Sequence, residues 1–171
     1  MADTGMVLVG VDGSPESRAA LEYAWAEAGR RHARLRVVAG FRPPEYYAPA
    51  YGWGNYAMIA MPTREEIAAD VRGEVERMLD EVRQARTDLA ATGVPVEVAV
   101  RPGHPGDLLV EESAKADVLV VGHRGRGAVA STVLGSVGLA CVLHAACPVT
   151  VVRPAPGAAS HEVPEATAAH A

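Results

Sequence analysis

The chain has 171 residues, 49% of them apolar and 22% charged, with a formal net charge of −5. That is enough for one domain with a substantial core, and a negative balance gives bulk electrostatics no reason to hold nucleic acid. No apolar run approaches membrane-spanning length, the start Met1-Ala2-Asp3-Thr4 lacks a basic signal segment, and two cysteines, Cys141 and Cys147, make no disulfide framework; a cytoplasmic protein without a membrane partner is expected.

Met6-Val7-Leu8-Val9-Gly10-Val11 is apolar on both faces, the pattern of a central parallel strand. Asp12-Gly13-Ser14-Pro15-Glu16 follows at once. Ser14 suits an N-cap, Pro15 the first helical position and Glu16 the first turn. The helix they open is predicted to run to about Arg31, with Ala20, Leu21, Ala24, Trp25 and Ala28 along its inner stripe. Leu35 to Phe41 reads as the second strand. Residues 42–62 then carry Tyr46, Tyr47, Tyr51, Tyr56, Trp53 and several prolines. A connection this long without regular structure is uncommon, and its aromatic load argues against plain disorder. A lid or contact surface is expected there.

Thr63-Arg64-Glu65-Glu66 is a capping box for the longest helix, whose inner face is Ile67, Val71, Val75, Met78, Val82, Ala85 and Leu89, with Gly93 ending it. Val94 to Val100 alternates and contains Pro95, which an edge strand tolerates best. Arg101 to Asp107 turns into a third helix ending near Lys115. Val118 to Val121 is a second evenly apolar strand, a fourth helix runs from Gly135-Ser136 to about Ala145, and Val149 to Val152 is the last strand. Strands alternating with helices call for a doubly wound parallel α/β sheet, with the two evenly apolar strands in the middle and the alternating one at an edge. Ala155 to Ala171 shows no apolar period and is expected to be disordered, leaving residues 1–154 as the domain.

In such sheets ligands sit beyond the carboxyl ends of the strands, where strand order reverses. Two loops leave the central strands there. One carries Asp12; the other carries Gly122, Gly125, Gly135 and Ser136. Glycines let backbone N–H groups turn onto an anion, and the helix beginning at Ser136 adds the positive end of its dipole, so a phosphate cradle is expected. An acid at Asp12 suits ribose hydroxyls or an indirect Mg²⁺ contact. On the residues alone, the less favoured alternatives are that Asp12 only serves its turn and that the glycines only make a tight loop. Arg124 and Arg126 either fork onto phosphate or point to solvent. His104 and His123 fall near the expected pocket mouth.

Two other patterns are decoys. Gly125-Arg126-Gly127-Ala128-Val129-Ala130 matches a dinucleotide fingerprint, yet it begins several residues past the strand and lacks the acidic residue further on. Cys141-x2-His144-x2-Cys147 lacks a fourth metal ligand, and small packing residues are the simpler reading.

Gly122-x2-Gly125-x9-Gly135-Ser136, with Val9-Gly10-Val11-Asp12-Gly13-Ser14 before it and Cys147-Pro148-Val149-Thr150-Val151-Val152 after it, resembles the ATP-binding branch of the universal stress protein family. The resemblance covers roughly Met6 to Pro154. It implies a Rossmann-like five-stranded sheet in the order 3-2-1-4-5. It places Gly10, Val11 and Asp12 at the nucleoside, Val38 against adenine, and Gly122, Gly125, Gly135, Ser136 and Val137 around the phosphates of ATP or a related adenine nucleotide.

Val149, Val151 and Val152 form an edge strand apolar on both faces, which the same strand of a second subunit would cover. The resemblance implies a homodimer too. Three functions stand in view: a nucleotide-dependent stress regulator acting on an unknown protein partner, a slow ATPase or phosphotransferase, and a nucleotide-free dimeric scaffold. No catalytic base or nucleophile is evident beside the glycine loop, while the intact glycines and Asp12 speak for binding.

Overall fold

The structure, a computed structural model, describes residues 5–43, 62–125 and 134–154. The tyrosine-rich stretch from 44 to 61, Arg126 with the rest of the dinucleotide-like pattern, and the tail from 155 to 171 lie outside the described residues.

Five strands, β1 (Met6–Gly10), β2 (Arg34–Phe41), β3 (Val96–Pro102), β4 (Val118–Gly122) and β5 (Val149–Val152), form one sheet in the order β3-β2-β1-β4-β5. Every pairing is parallel. The expected 3-2-1-4-5 order is therefore what the chain adopts, with β1 central and the alternating strand β3 at one edge. Strand order reverses between β1 and β4, which are direct neighbours.

Alternate residues of the inner strands feed two cores on opposite faces. Val7, Val9, Leu35, Val37, Val118 and Val120 pack against α1 (Pro15–Arg31) and α2 (Arg64–Ala85). Leu8, Val38, Leu119 and Val121 pack against α4 (Pro105–Ser113) and α5 (Ser136–His144). Helix α1 begins where expected: the Ser14 hydroxyl accepts the Ser17 N–H at 3.1 Å and Pro15 occupies the first turn. Its five predicted stripe residues are all buried. It ends on His32, whose left-handed φ of 53° lets its N–H and that of Ala33 return to Gly29 and Ala28.

Some boundaries differ from expectation. The capping box forms, with the Thr63 hydroxyl accepting the Glu66 N–H at 3.2 Å and the Glu66 carboxylate accepting the Thr63 N–H at 2.7 Å. The helix it opens is not continuous to Gly93, however. It stops at Ala85, and a short turn, α3 (Thr87–Ala90), follows. Arg86 sits between them at φ −124° and ψ 70°, its guanidinium fork on Asp88 at 3.0 and 2.9 Å. The break leaves Ala85 exposed while Leu89 stays in the core, and Leu79 joins Val75, Met78 and Val82 inside. Strand β3 starts two residues later than expected because Pro95, lacking an N–H, precedes it and offers only its carbonyl, to the Leu35 N–H at 2.8 Å.

Candidate functional site

A cavity of about 320 Å³ opens at the carboxyl ends of β1, β2 and β4, at the point where strand order reverses. It is lined by Gly10, Val11, Asp12, Val38, Gly122, Arg124, Gly125, Gly135, Ser136 and Val137. These are all of the residues expected there except Arg126, which is not described. That volume lies within the range of small-molecule sites.

The two loops meet at Asp12. Its Oδ1 accepts the Ser14 N–H at 3.0 Å and the Ser14 hydroxyl at 2.5 Å, while its own N–H donates to the Ser17 hydroxyl at 3.3 Å. The same serines that start α1 thus hold the acid in place. Its Oδ2 reaches the other loop, only 2.5 Å from where a Cβ on Gly125 would stand. Beside it, the Val11 N–H donates to the Val38 carbonyl at 3.0 Å, which fixes the ends of β1 and β2 together.

The glycines have separate reasons for being there. A side chain on Gly122 would come within 2.9 Å of the Glu16 carbonyl group, so the absence of a Cβ lets α1 begin directly over the end of β4. Gly125 leaves room for Asp12. Gly135 is the N-cap of α5, and its N–H is taken by the His123 carbonyl at 2.8 Å. That bond closes the loop, and the helix beyond Gly135 faces the cavity. Among the described residues no side chain caps α5, and Ser136, Val137 and Gly138, its first turn, all line the cavity. A helix start without a side-chain cap combines free N–H groups with the positive end of the dipole, an arrangement that suits an anion.

Seven lining residues escaped the sequence reading: Ser17, Gly40, Pro105, Leu109, Val121, Leu134 and Gly138. Leu109, on the first turns of α4, lies across from Gly10, where a Cβ would come within 2.5 Å of its Cδ1. Gly138 makes room for Leu134, whose Cδ1 would be 2.8 Å from an added Cβ. Pro105 gave a usable signal, since it opens a helix after the carboxyl end of β3, on the same rim as the other loops. Val38, Pro105 and Leu109 bring apolar surface to the cavity, and Asp12, Arg124 and the start of α5 bring polar groups to it.

His104 caps α4, its Nδ1 accepting the Gly106 N–H at 3.2 Å, and is not a cavity residue. His123 stands behind the glycine loop. Its N–H donates to Val152 at 2.9 Å and its Nδ1 is buried without a hydrogen-bond partner among the described residues. Burial, then the charges of Arg153 and Arg124, hold its pKa below the usual histidine value, with Glu16 opposing. Cys141 and Cys147 belong to the α4–α5 core; burial pushes the Cys141 thiol up to about 11, and no group of three metal-ligating side chains occurs among the described residues.

A doubly wound parallel sheet with a ligand-sized cavity at its reversal point is a Rossmann-like α/β domain. More specifically, the chain belongs to the universal stress protein family, whose model matches residues 5–153. A universal stress protein of Thermus aquaticus is 36% identical over 150 residues, covering 86% of this chain and 97% of that one. One of Mycobacterium tuberculosis is 38% identical over 148 residues, 86% of this chain but 45% of that protein. The chain spans about half the length of the mycobacterial relatives it matches. A universal stress protein solved in complex with cAMP is 27% identical, covers 88% of this chain and 97% of its own, and has a TM-score of 0.54.

Proposed function

We propose that this protein binds an adenine nucleotide in the cavity at the sheet reversal and acts as a nucleotide-dependent regulator in the stress response, its occupancy read by a protein partner. The observation that carries the proposal is the set of chemistries gathered in that one cavity. Apolar Val38 and Leu109 suit the base, the Asp12 carboxylate suits sugar hydroxyls, and the uncapped start of α5 suits phosphate. A related universal stress protein solved in complex with cAMP, an adenine nucleotide, supports this reading.

ATP is the nucleotide proposed, with Gly122 and Gly125 keeping side chains out of the phosphate path and Arg124, together with Arg126, neutralising charge. Mg²⁺ would reach the protein through water. Asp12 is the one carboxylate among the described lining residues, and its Oδ1 is already engaged twice by Ser14. When bound, the ion would shield the phosphates; the chain's own part is to hold sugar and phosphate in register.

The β5 edge is proposed to pair with β5 of a second copy, giving a homodimer. Val151→Lys would place a charge in that contact, and sedimentation velocity should then show a lighter species than the unsubstituted chain. For the nucleotide, calorimetric titration of stripped protein with ATP, ADP, AMP, cAMP and GTP is the direct test. Binding of adenine nucleotides in preference to GTP is expected. Heat-silent titrations with all five, together with no co-purifying nucleotide by mass spectrometry, would overturn the proposal.

A further inference from the structure

A second cavity, of about 170 Å³, adjoins the first on the opposite face of the sheet. Its apolar wall is Val11, Ala39, Val71, Val75 and Met78. Val71, Val75 and Met78 fall at helical spacing on one face of α2, and Val75 and Met78 belong to the α1–α2 core. Alternation along β2 shows how the two cavities lie. Val38 belongs to the α4–α5 face and lines the first, while Ala39 belongs to the α1–α2 face and lines the second. Gly40 lines both, as do Val11 and Asp12 just past β1. The two spaces therefore meet over the carboxyl ends of β1 and β2, and Gly40 has no side chain to stand between them.

The shared residues decide what can pass from one cavity to the other. Asp12 is the residue proposed to hold the sugar hydroxyls, so a group attached to the sugar leaves the first cavity at this point. The lining of the second decides the kind of group. Its aliphatic and thioether surface favours an apolar occupant. Its charged side chains among the described residues are two carboxylates, Asp12 and Glu74, which repel a phosphate. The start of α5, which suits an anion, lines the first cavity only. We infer that the second cavity receives a neutral acyl or aryl group carried on the sugar, so that the site takes adenine nucleotides substituted at the 2′ or 3′ hydroxyl. The unsubstituted hydroxyl of the pair stays available to Asp12. This inference rests on the nucleotide reading of the first cavity and names a narrower ligand class for it.

The test compares ATP with its fluorescent 2′(3′)-O-(N-methylanthraniloyl) ester on the full chain and on Val71→Phe. Val71 lies on α2 and lines the second cavity but not the first, so a phenyl ring there fills the proposed subsite alone. The ester should bind the unsubstituted chain roughly tenfold more tightly than ATP. Val71→Phe should remove that advantage and leave the affinity for ATP unchanged. Adenosine 3′,5′-bisphosphate should bind more weakly than AMP, and equal or tighter binding would overturn the preference for a neutral group. An ester no tighter than ATP, or an advantage that survives Val71→Phe, would overturn the inference while ATP binding leaves the reading of the first cavity standing. Failure of ATP and ester alike would remove both. Methyl NMR of the unsubstituted chain gives a reading that does not depend on the variant folding. The Met78 methyl should show a nuclear Overhauser effect from the anthraniloyl ring protons, and its absence in the saturated complex would also overturn the inference.

Discussion

The contact between Gly125 and Asp12 makes the sharpest test of how the cavity would work. Gly125 is not among the glycines with positive φ, so Gly125→Ala adds one methyl group without backbone strain. That methyl would stand 2.5 Å from Asp12 Oδ2, whereas ordinary contact begins at 3.4 Å, so acid and loop must part by about 0.9 Å. A sugar hydroxyl bonded to the carboxylate at about 2.7 Å would be left beyond hydrogen-bonding range. Loss of one hydrogen bond to a charged group is about 1.5–3 kcal/mol, and hence roughly a 10- to 150-fold weaker Kd for the nucleotide. Calorimetry on Gly125→Ala, Asp12→Ala and the double variant separates mechanism from damage. If the methyl acts through Asp12, adding it to Asp12→Ala should change affinity little. An equal loss in both backgrounds would refute the reasoning, as would full affinity in Gly125→Ala alone. Melting of the ligand-free variant should be nearly unchanged.

Gly122→Ala should behave in the opposite way, because the nearest obstacle is the Glu16 backbone at 2.9 Å and backbone cannot swing aside. About 1–3 kcal/mol of stability should be lost in urea denaturation without ligand, and an unchanged midpoint would contradict that contact. Glu112 is buried between Arg36 at 2.8 Å and Arg101 at 3.0 Å. Burial raises its pKa, but hydrogen bonding and charge from Arg36, with Lys115 and Arg101, hold it net below the usual carboxylate range. A carboxylate depressed in this way contributes stability above its unfolded pKa and loses it as pH falls through the folded one. Glu112→Gln should therefore cost about 3 kcal/mol at neutral pH, the low end for a broken buried pair because Glu97 still faces Arg36. The gap between the two proteins should narrow in acid; a gap equal at pH 7 and pH 3 would count against the assignment.

Much of this architecture could be read from local pattern, for identifiable reasons. Met6–Gly10 and Val118–Gly122 are apolar on both faces because helices cover both, and only inner parallel strands are so placed. Ser14 and Thr63 mark helix starts because their hydroxyls replace missing backbone partners. The break at Arg86 is hidden because Val82, Ala85 and Leu89 keep helical spacing across it, and the non-helical φ and ψ of Arg86 leave no periodic trace. The cavity divides similarly. Gly125 and Asp12 stand out as loop residues at strand ends, but Leu109 and Gly138 look like ordinary helix interior, and their place on the rim depends on how α4 and α5 lean over the sheet. Gly135 could be picked out by its spacing, yet the bond that takes its N–H joins the two ends of the loop and is visible only when both are in place.

Helix α5 has nine residues and is about 14 Å long, with one tip at the cavity and an oily flank facing outward. A rigid rod of that size cannot tilt at its tip while its flank stays still. If the proposed nucleotide binding at the tip and the proposed β5 pairing beside the flank favour the same tilt, thermodynamic reciprocity links them: whatever factor the small molecule contributes to assembly, assembly returns to the small molecule. Affinity measured at one protein concentration would then differ from affinity measured at another, and the cell's supply of this chain would itself set how sensitively it responds.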